Sequence, residues 1–211
     1  MSSIFRSIHI YGGGTHSWVS THFCLTAPAK GKTAKHLSSL LQGIPHELIL
    51  TSLADPDSNI ETNEDVKNHL YNVSLKDPMV KAIVFNVALC DFHGHFDGVP
   101  SGKYAPRLKT RKAVPDLKLT VADKLLSGIK KIRPDMLIVG FKATANETFE
   151  DQLFQGRRLL NENNLDIVLA NDVVLKRNLL LFKEDDDSVC FDLPRAEALS
   201  IIAEKCKEAT L

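Results

Sequence analysis

Met136-Leu-Ile-Val-Gly-Phe141 and Leu165-Asp-Ile-Val-Leu-Ala-Asn-Asp-Val173 are two apolar runs joined by a polar turn and an amphipathic stretch. Short β-branched runs flanking a helical period predict strand, turn, helix, strand, which is one parallel βαβ unit. Both runs end in polar residues. Ligands of open α/β sheets bind outside the carboxyl ends of the strands. Phe141, Lys142, Asn171 and Asp172 are therefore expected to look into a shared cleft.

The same alternation extends along the chain. Ser7–Tyr11, Glu47–Thr51 and Val80–Ala88 read as strands. Ala34, Leu37 and Leu41 mark a helix over about 33–41, and Thr62-Asn-Glu-Asp65 resembles a capping box before Val66, Leu70 and Val73. Thr120-Val-Ala-Asp123 is expected to cap a helix that turns Ala122, Leu125, Leu126 and Ile129 inward. Thr144-Ala-Asn-Glu147 is expected to cap the helix reaching Asn163. Leu179–Lys183 and Ser188–Asp192 flank an acidic turn and predict a hairpin. Pro194 opens a last helix with Leu199, Ile202, Ala203 and Cys206 inward. Periodicity is lost from Phe92 to Pro115, which predicts a long loop, and loops of that length are usually functional. The expected fold is a three-layer α/β/α sandwich, Rossmann-like, with a mostly parallel sheet and a C-terminal hairpin. It forms one domain over 1–211, without repeats or a long linker.

Lys plus Arg and Asp plus Glu both total 26 in 211 residues. Zero formal charge argues against a bulk nucleic-acid or membrane-surface role but leaves room for a local basic pocket. No run approaches the ~20 apolar residues of a membrane helix, and Met1–Arg6 lacks the apolar core of a signal peptide. Cys24, Cys90, Cys190 and Cys206 are scattered, without metal or redox spacing, and read as reduced thiols. A cytoplasmic protein is expected.

Several segments carry chemistry. Gly12-Gly-Gly-Thr15 follows a strand, so Gly12, Gly13 and Gly14 can bring amides to a phosphate and Thr15 can add a hydroxyl; a tight turn explains them equally well. Lys30-Gly31-Lys32-Thr33 precedes a helix and suits anions or is ordinary helix initiation. Asp91 ends the central strand, where a carboxylate can hold ribose hydroxyls or magnesium, or simply cap a turn. Lys109-Thr-Arg111-Lys112 places three cations in four residues, a local anion site or a solvated loop. Phe141 can pack on a nucleobase or belong to the core, and Lys142 adds charge beside it. His93-Gly-His95-Phe-Asp97 has metal-capable side chains at a weak spacing. The acidic turn Glu184–Asp187 reads as solvated.

Gly140-Phe141 with Ala143-Thr-Ala-Asn-Glu147, followed by Leu165-Asp166 and Ala170-Asn-Asp-Val173, resembles phosphopantothenoylcysteine synthetase, the ligase of coenzyme A biosynthesis often fused to a flavin-dependent decarboxylase. The resemblance extends to Gly13-Gly14-Thr15 and to Ala88-Leu-Cys-Asp91-Phe92, where the family has Ala-Val-Ala-Asp-Tyr and its aspartate contacts the nucleotide. It also reaches Lys109–Lys112, where the family has Lys-Ile-Lys-Lys on a clamp over the triphosphate and acyl substrate. In that alignment Lys109 is the lysine closest to the chemistry and Phe141 contacts the base. Of the family's Ser-Ser-Gly-Lys only Gly31-Lys32 is matched, and Ala27 stands where the family has an asparagine. Val174–Asn178 replaces a glycine-rich stretch.

The resemblance implies a ligase joining 4′-phosphopantothenate to L-cysteine through an acyl-nucleotide, with CTP or ATP as co-substrate and Mg2+. It implies small-molecule partners, a homodimer, and no FMN, since the flavin domain is not in this chain. Ala27 and the altered Val174–Asn178 stretch keep open a divergent nucleotide-binding protein without ligase turnover, and a ligase for a different acid is a further alternative. A nicotinamide-dependent reductase, suggested by Gly12–Gly14, would need an acidic ribose ligand after the second strand, where only Asp55 is available.

Overall fold

The computed structural model describes residues 6–109, 116–184 and 187–211. The strands are β1 (Ser7–Gly14), β2 (His16–Ser20), β3 (Phe23–Thr26), β4 (His46–Leu50), β5 (Val80–Ala88), β6 (Phe92–His95), β7 (Lys118–Val121), β8 (Leu137–Thr144), β9 (Ile167–Asp172), β10 (Asn178–Glu184) and β11 (Asp187–Asp192). The helices are α1 (Lys32–Leu40), α2 (Asn63–His69), α3 (Ile129–Ile132), α4 (Phe149–Glu162) and α5 (Arg195–Glu208). Seven strands form the central sheet in the order β11-β10-β9-β8-β5-β1-β4. β4, β1, β5, β8 and β9 are parallel, and β10 pairs antiparallel with both β9 and β11.

Parallel strands are covered on both faces, so nearly every residue of their central portions must be apolar. Successive side chains then point to opposite faces. Ile8, Ile10, Val84, Val139 and Leu169 pack with Ala34 and Leu37 of α1 and Ile202 of α5. Tyr11, Ile83, Phe85, Ile138 and Val168 pack with Val66 of α2 and Leu160 of α4. This is the expected three-layer sandwich with its closing hairpin. The capping box is present at Thr62: its hydroxyl accepts from the Asp65 amide at 3.2 Å, and its amide donates to the Asp65 carboxylate at 2.9 Å. No helix among the described residues is long and apolar enough to cross a membrane.

Four local expectations are corrected. First, Gly12–Gly14 lie inside β1, paired with Asn86, Val87 and Ala88, rather than in a turn after it. Second, Phe92–His95 is a strand rather than loop, and it pairs antiparallel with Lys118–Val121. Third, that pairing makes Thr120 and Val121 strand residues. Ala122, Leu125 and Leu126 are buried from non-helical chain, and helix begins only at Ile129 after Gly128, whose φ is 87°. An apolar spacing of three and four suited a helix, but a β-partner 26 residues upstream won; the ladder lets the β-rich Leu119-Thr120-Val121 satisfy its backbone without one. Fourth, the cap of α4 is Thr148, whose hydroxyl accepts from the Asp151 amide at 3.1 Å, while Thr144 ends β8. The β2–β3 hairpin was not foreseen. It packs on β6, with Phe23 stacked on Phe96 at 6.4 Å.

α2 runs into a single π turn, Leu70–Ser74. That turn seals a buried polar cluster under β1. His9 is hydrogen-bonded to Ser74 at 2.7 Å, Tyr11 to His69 at 2.9 Å, and Tyr11 also to Ser74. Burial lowers the pKa of both imidazoles, and the nearby Glu47 offsets this only in part.

Candidate functional site

A cleft of about 580 Å³ opens at the carboxyl ends of β5, β8 and β9. It adjoins the point where the chain reverses direction across the sheet, since β1 leads to β4 on one side and the chain then returns to β5 on the other. Such reversals leave a crevice because the two connections diverge to opposite faces. Phe141 and Lys142 of β8 and Asn171 of β9 line it, as do Ala88 and Asp91 beyond β5. Leu125, Leu126 and Leu159 give it an apolar floor, and Asn163 adds an amide.

The wall beside β1 is built by close packing. Ala27 and Ala29 line the cleft, strapped over β1 by a bond from the Ala27 amide to the Thr15 carbonyl at 3.0 Å. A side chain on Gly14 would place its Cβ 1.7 Å from the Ala27 carbonyl oxygen, and one on Gly12 would fall 2.3 Å from the Ala34 Cβ. The glycines let strap and helix close onto the strand. Thr15 is fully buried; its hydroxyl donates to Asn63 at 2.6 Å and accepts from the Cys90 amide at 2.9 Å. Burial pushes the Cys90 thiol up from its ordinary value, more than the hydrogen bonds from Thr15 and the Ala27 and Ser17 backbone pull it down. A protonated thiol is a poor nucleophile.

Residues 50–209 match the DNA/pantothenate metabolism flavoprotein C-terminal domain family. The chain belongs to this family. No curated protein matches the sequence. Among solved structures, the DNA/pantothenate metabolism flavoprotein from Streptococcus pneumoniae has a TM-score of 0.74 at 19% identity, covering 96% of this chain and 99% of that one. The C-terminal domain of the coenzyme A biosynthesis bifunctional protein CoaBC has 0.66 at 18%, covering 96% and 95%. A point mutant of Cab2 in complex with phosphopantothenate-cysteine has 0.62 at 13%, covering 96% and 85%. At these identities the likeness is one of fold.

Within this flavoprotein C-terminal domain fold, the expected site residues separate into groups. Ala88, Asp91, Phe141, Lys142 and Asn171 meet in the cleft. Asp172 does not join them. It is buried, and its carboxylate accepts from Thr144 Oγ1 and the Glu147 amide at 3.1 Å and from the Val174 and Leu175 amides at 2.9 and 2.8 Å. Burial alone would raise its pKa, but the backbone amides hold it well below the usual carboxylate range. Gly12, Gly13, Gly14 and Thr15 sit behind the wall just described. Gly31 is buried at the start of α1 with a φ of 66°, and Lys32 is exposed beside a neighbouring groove. Lys109 is exposed and is not part of the cleft lining. Arg111 and Lys112 lie outside the described residues.

Two of the metal-capable side chains near the ribbon have other partners. His93 is hydrogen-bonded to Ser17 at 3.2 Å, and Asp97 pairs with Lys118. Among the described residues no three metal-ligating side chains come together. Asp91 is exposed, with Lys124 at 3.5 Å. Sequence reasoning missed Lys124, Asn163 and Arg195, all on the cleft with Thr33. The polar ends of helices offered no periodic signal, and Arg195 reaches the cleft only because α5 packs on α1.

Proposed function

We propose that this protein joins 4′-phosphopantothenate to L-cysteine, with CTP or ATP as the activating nucleotide. The observation that carries the reading is the meeting of Phe141, Asn171 and Asp91 in one cleft, in a chain of this family. In the proposed reaction the phosphopantothenate carboxylate attacks the α-phosphate and pyrophosphate leaves. The cysteine amine then attacks the acyl carbon, and the nucleoside monophosphate leaves with the bonding electron pair.

The cleft suits those partners. Phe141 offers an aromatic face to a base, and the Asn171 amide can both donate and accept. The leucine floor suits the aliphatic part of an acyl chain. Asp91 is an accessible carboxylate at the mouth, which fits ribose hydroxyls or Mg2+; that ion is commonly held by one or two carboxylates plus substrate phosphates. When bound, Mg2+ would neutralise phosphate charge. Lys109, Arg111 and Lys112 are the proposed clamp. The chain's second copy would sit on the ribbon of β6 and β7, where Phe92, Leu119 and Val121 are 45, 52 and 73% exposed. Sedimentation should then give a dimer that Val121→Glu dissociates.

Pyrophosphate release tests the reaction. Purified protein with Mg2+ is given phosphopantothenate and either CTP or ATP, with and without L-cysteine. Release that requires phosphopantothenate, and rises with cysteine, is expected. Folded protein that releases none with either nucleotide would sink the reading. One observation favours a second reading, nucleotide binding without turnover: Ala27 presents only a methyl group to the cleft. On that reading nucleotide raises the melting temperature but no pyrophosphate appears.

A further inference from the structure

Arg195 occupies an electrostatically costly position. It is the first residue of α5, partly buried, at a rim shared by the main cleft and a groove of about 350 Å³ beside α1. Its guanidinium donates to two neutral oxygens, Thr33 Oγ1 at 2.7 Å and Asn178 Oδ1 at 3.2 Å. Among the described residues it has no carboxylate partner. Each of these features works against a cation. Burial removes water without supplying countercharge, and it lowers the pKa of the group. The first turn of a helix is its positive end. A guanidinium has five N–H donors, so donors remain after the two protein acceptors are served.

Other cations share this rim. Lys142 lines the cleft from β8, and Lys32 lines the groove; neither makes an ion pair or side-chain hydrogen bond among the described residues. Elsewhere some partly buried cations have carboxylates beside them, while Arg177, like Arg195, donates to neutral oxygens, those of the Gln152 side chain and the Glu147 carbonyl. Lys130 meets Asp166 at 2.7 Å and Arg133 meets Asp135 at 2.9 Å. Lys142 on the cleft and Lys32 on the groove thus flank the rim that Arg195 shares between them, and the carboxylates of the cleft lining, Asp91 and Asp123, lie with Lys124 and Lys67; three cations without a carboxylate partner suit a multiply charged anion.

We propose that Arg195, with Lys142 and Lys32, seats the phosphoryl oxygens of a polyphosphate, which is the nucleoside triphosphate under the ligase reading on which this inference rests. The guanidinium fork matches two oxygens of one phosphoryl group. Thr33 and Asn178 hold the fork in position, so little side-chain freedom is lost on binding. The seat lies on the α1–α5 side of the cleft.

Calorimetric titration of the whole chain with Mg2+ tests this. The ligands are ATP, CTP, their monophosphates and inorganic tripolyphosphate. Arg195→Gln should weaken tripolyphosphate and both triphosphates about ten- to a hundredfold, the range for a charged hydrogen bond, and weaken the monophosphates less. Arg195→Lys should recover part of the loss. Lys142→Gln should weaken the triphosphates in the same direction, and Arg158→Gln, on the exposed face of α4, should change nothing.

Arg195 also ties α5 to α1, so melting temperatures accompany each titration. Lys142→Gln breaks no ion pair or side-chain hydrogen bond among the described residues and decides the matter if Arg195→Gln does not fold. Unchanged triphosphate affinity in the folded variants overturns the seat, as does wild-type protein that binds no polyphosphate. Wild-type protein that binds triphosphate through Arg195 yet releases no pyrophosphate retains the seat and loses the ligase reading. Turnover with a nucleotide KM indifferent to Arg195→Gln does the reverse.

Discussion

The carboxyl edge of the sheet has two halves of opposite character. Beside β1, the run Gly12-Gly-Gly-Thr15 is closed off by protein: Ala34, Thr51, Ala54 and Ala27 fill the space a side chain would need, and Asn63 takes the Thr15 hydroxyl. Beside β5, β8 and β9, the edge stays open, floored by leucines and edged with amides and charges. A glycine run at the end of a strand thus has two physical uses, admitting a ligand or admitting the protein's own backbone. Here the second is visible in the packing. The lesson is that glycine signals close approach without saying what approaches.

Mutations on the two halves should therefore fail differently. Gly14→Ala should have the largest effect, because its Cβ would fall 1.7 Å from a carbonyl oxygen held in the strap. A loss of about 3 kcal/mol or more is expected in denaturant unfolding, at the upper end for overpacking. A variant as stable as the parent would show that the strap yields and that the wall is not rigid.

Asp172→Asn comes next. The carboxylate closes the turn after β9 through four hydrogen bonds. Its native pKa lies below the unfolded one, so its stabilisation is complete above the ordinary carboxylate range and is lost as pH falls below it. The variant should melt lower at neutral pH and show a shallower acid limb, with the nucleotide affinity of folded protein retained. Loss of affinity without loss of stability would instead place Asp172 among the ligand contacts.

Phe141→Leu should sharpen the other half. Nucleotide binding should weaken several-fold, since an aromatic contact contributes about 0.5–1.5 kcal/mol beyond its area. Stability should change by less than about 1.5 kcal/mol, as for other volume-conserving swaps. The smallest effect belongs to the buried imidazoles under β1. Their pKa values are lowered in the folded state, so below the unfolded value of 6.5 the unfolded chain binds more protons and stability falls with falling pH. Melting temperatures between pH 8 and 5.5 should decline gently, and His9→Gln should flatten the decline. A parent curve that is flat over that range would remove the histidines from this account.

Much of the architecture was legible because the central strands are buried on both sides and show it in composition. Val80–Ala88 and Leu165–Val173 are examples, and the α2 capping box was visible in four residues. Phe141, Lys142 and Asn171 followed from one rule about strand ends. What was illegible was tertiary in origin. β6 and β7 are short, exposed and separated by more than twenty residues, so neither carries a burial pattern of its own. The fate of Asp172 depended on a turn that folds back on it. Arg195 stood in an unremarkable helix whose position over α1 no local pattern encodes.

The bond between Arg195 and Thr33 joins positions 162 residues apart. It orders the assembly of the protein in time. Contacts of such sequence separation form late, because the intervening chain must already be organised before they can compensate for loop closure. The α1–α5 rim of the cleft is consequently among the last parts to be completed as the chain folds. A nascent chain still lacking its final helix can hold most of the sheet and yet have no finished mouth. A polyanion that bound across that mouth would favour the fully folded chain over every earlier form.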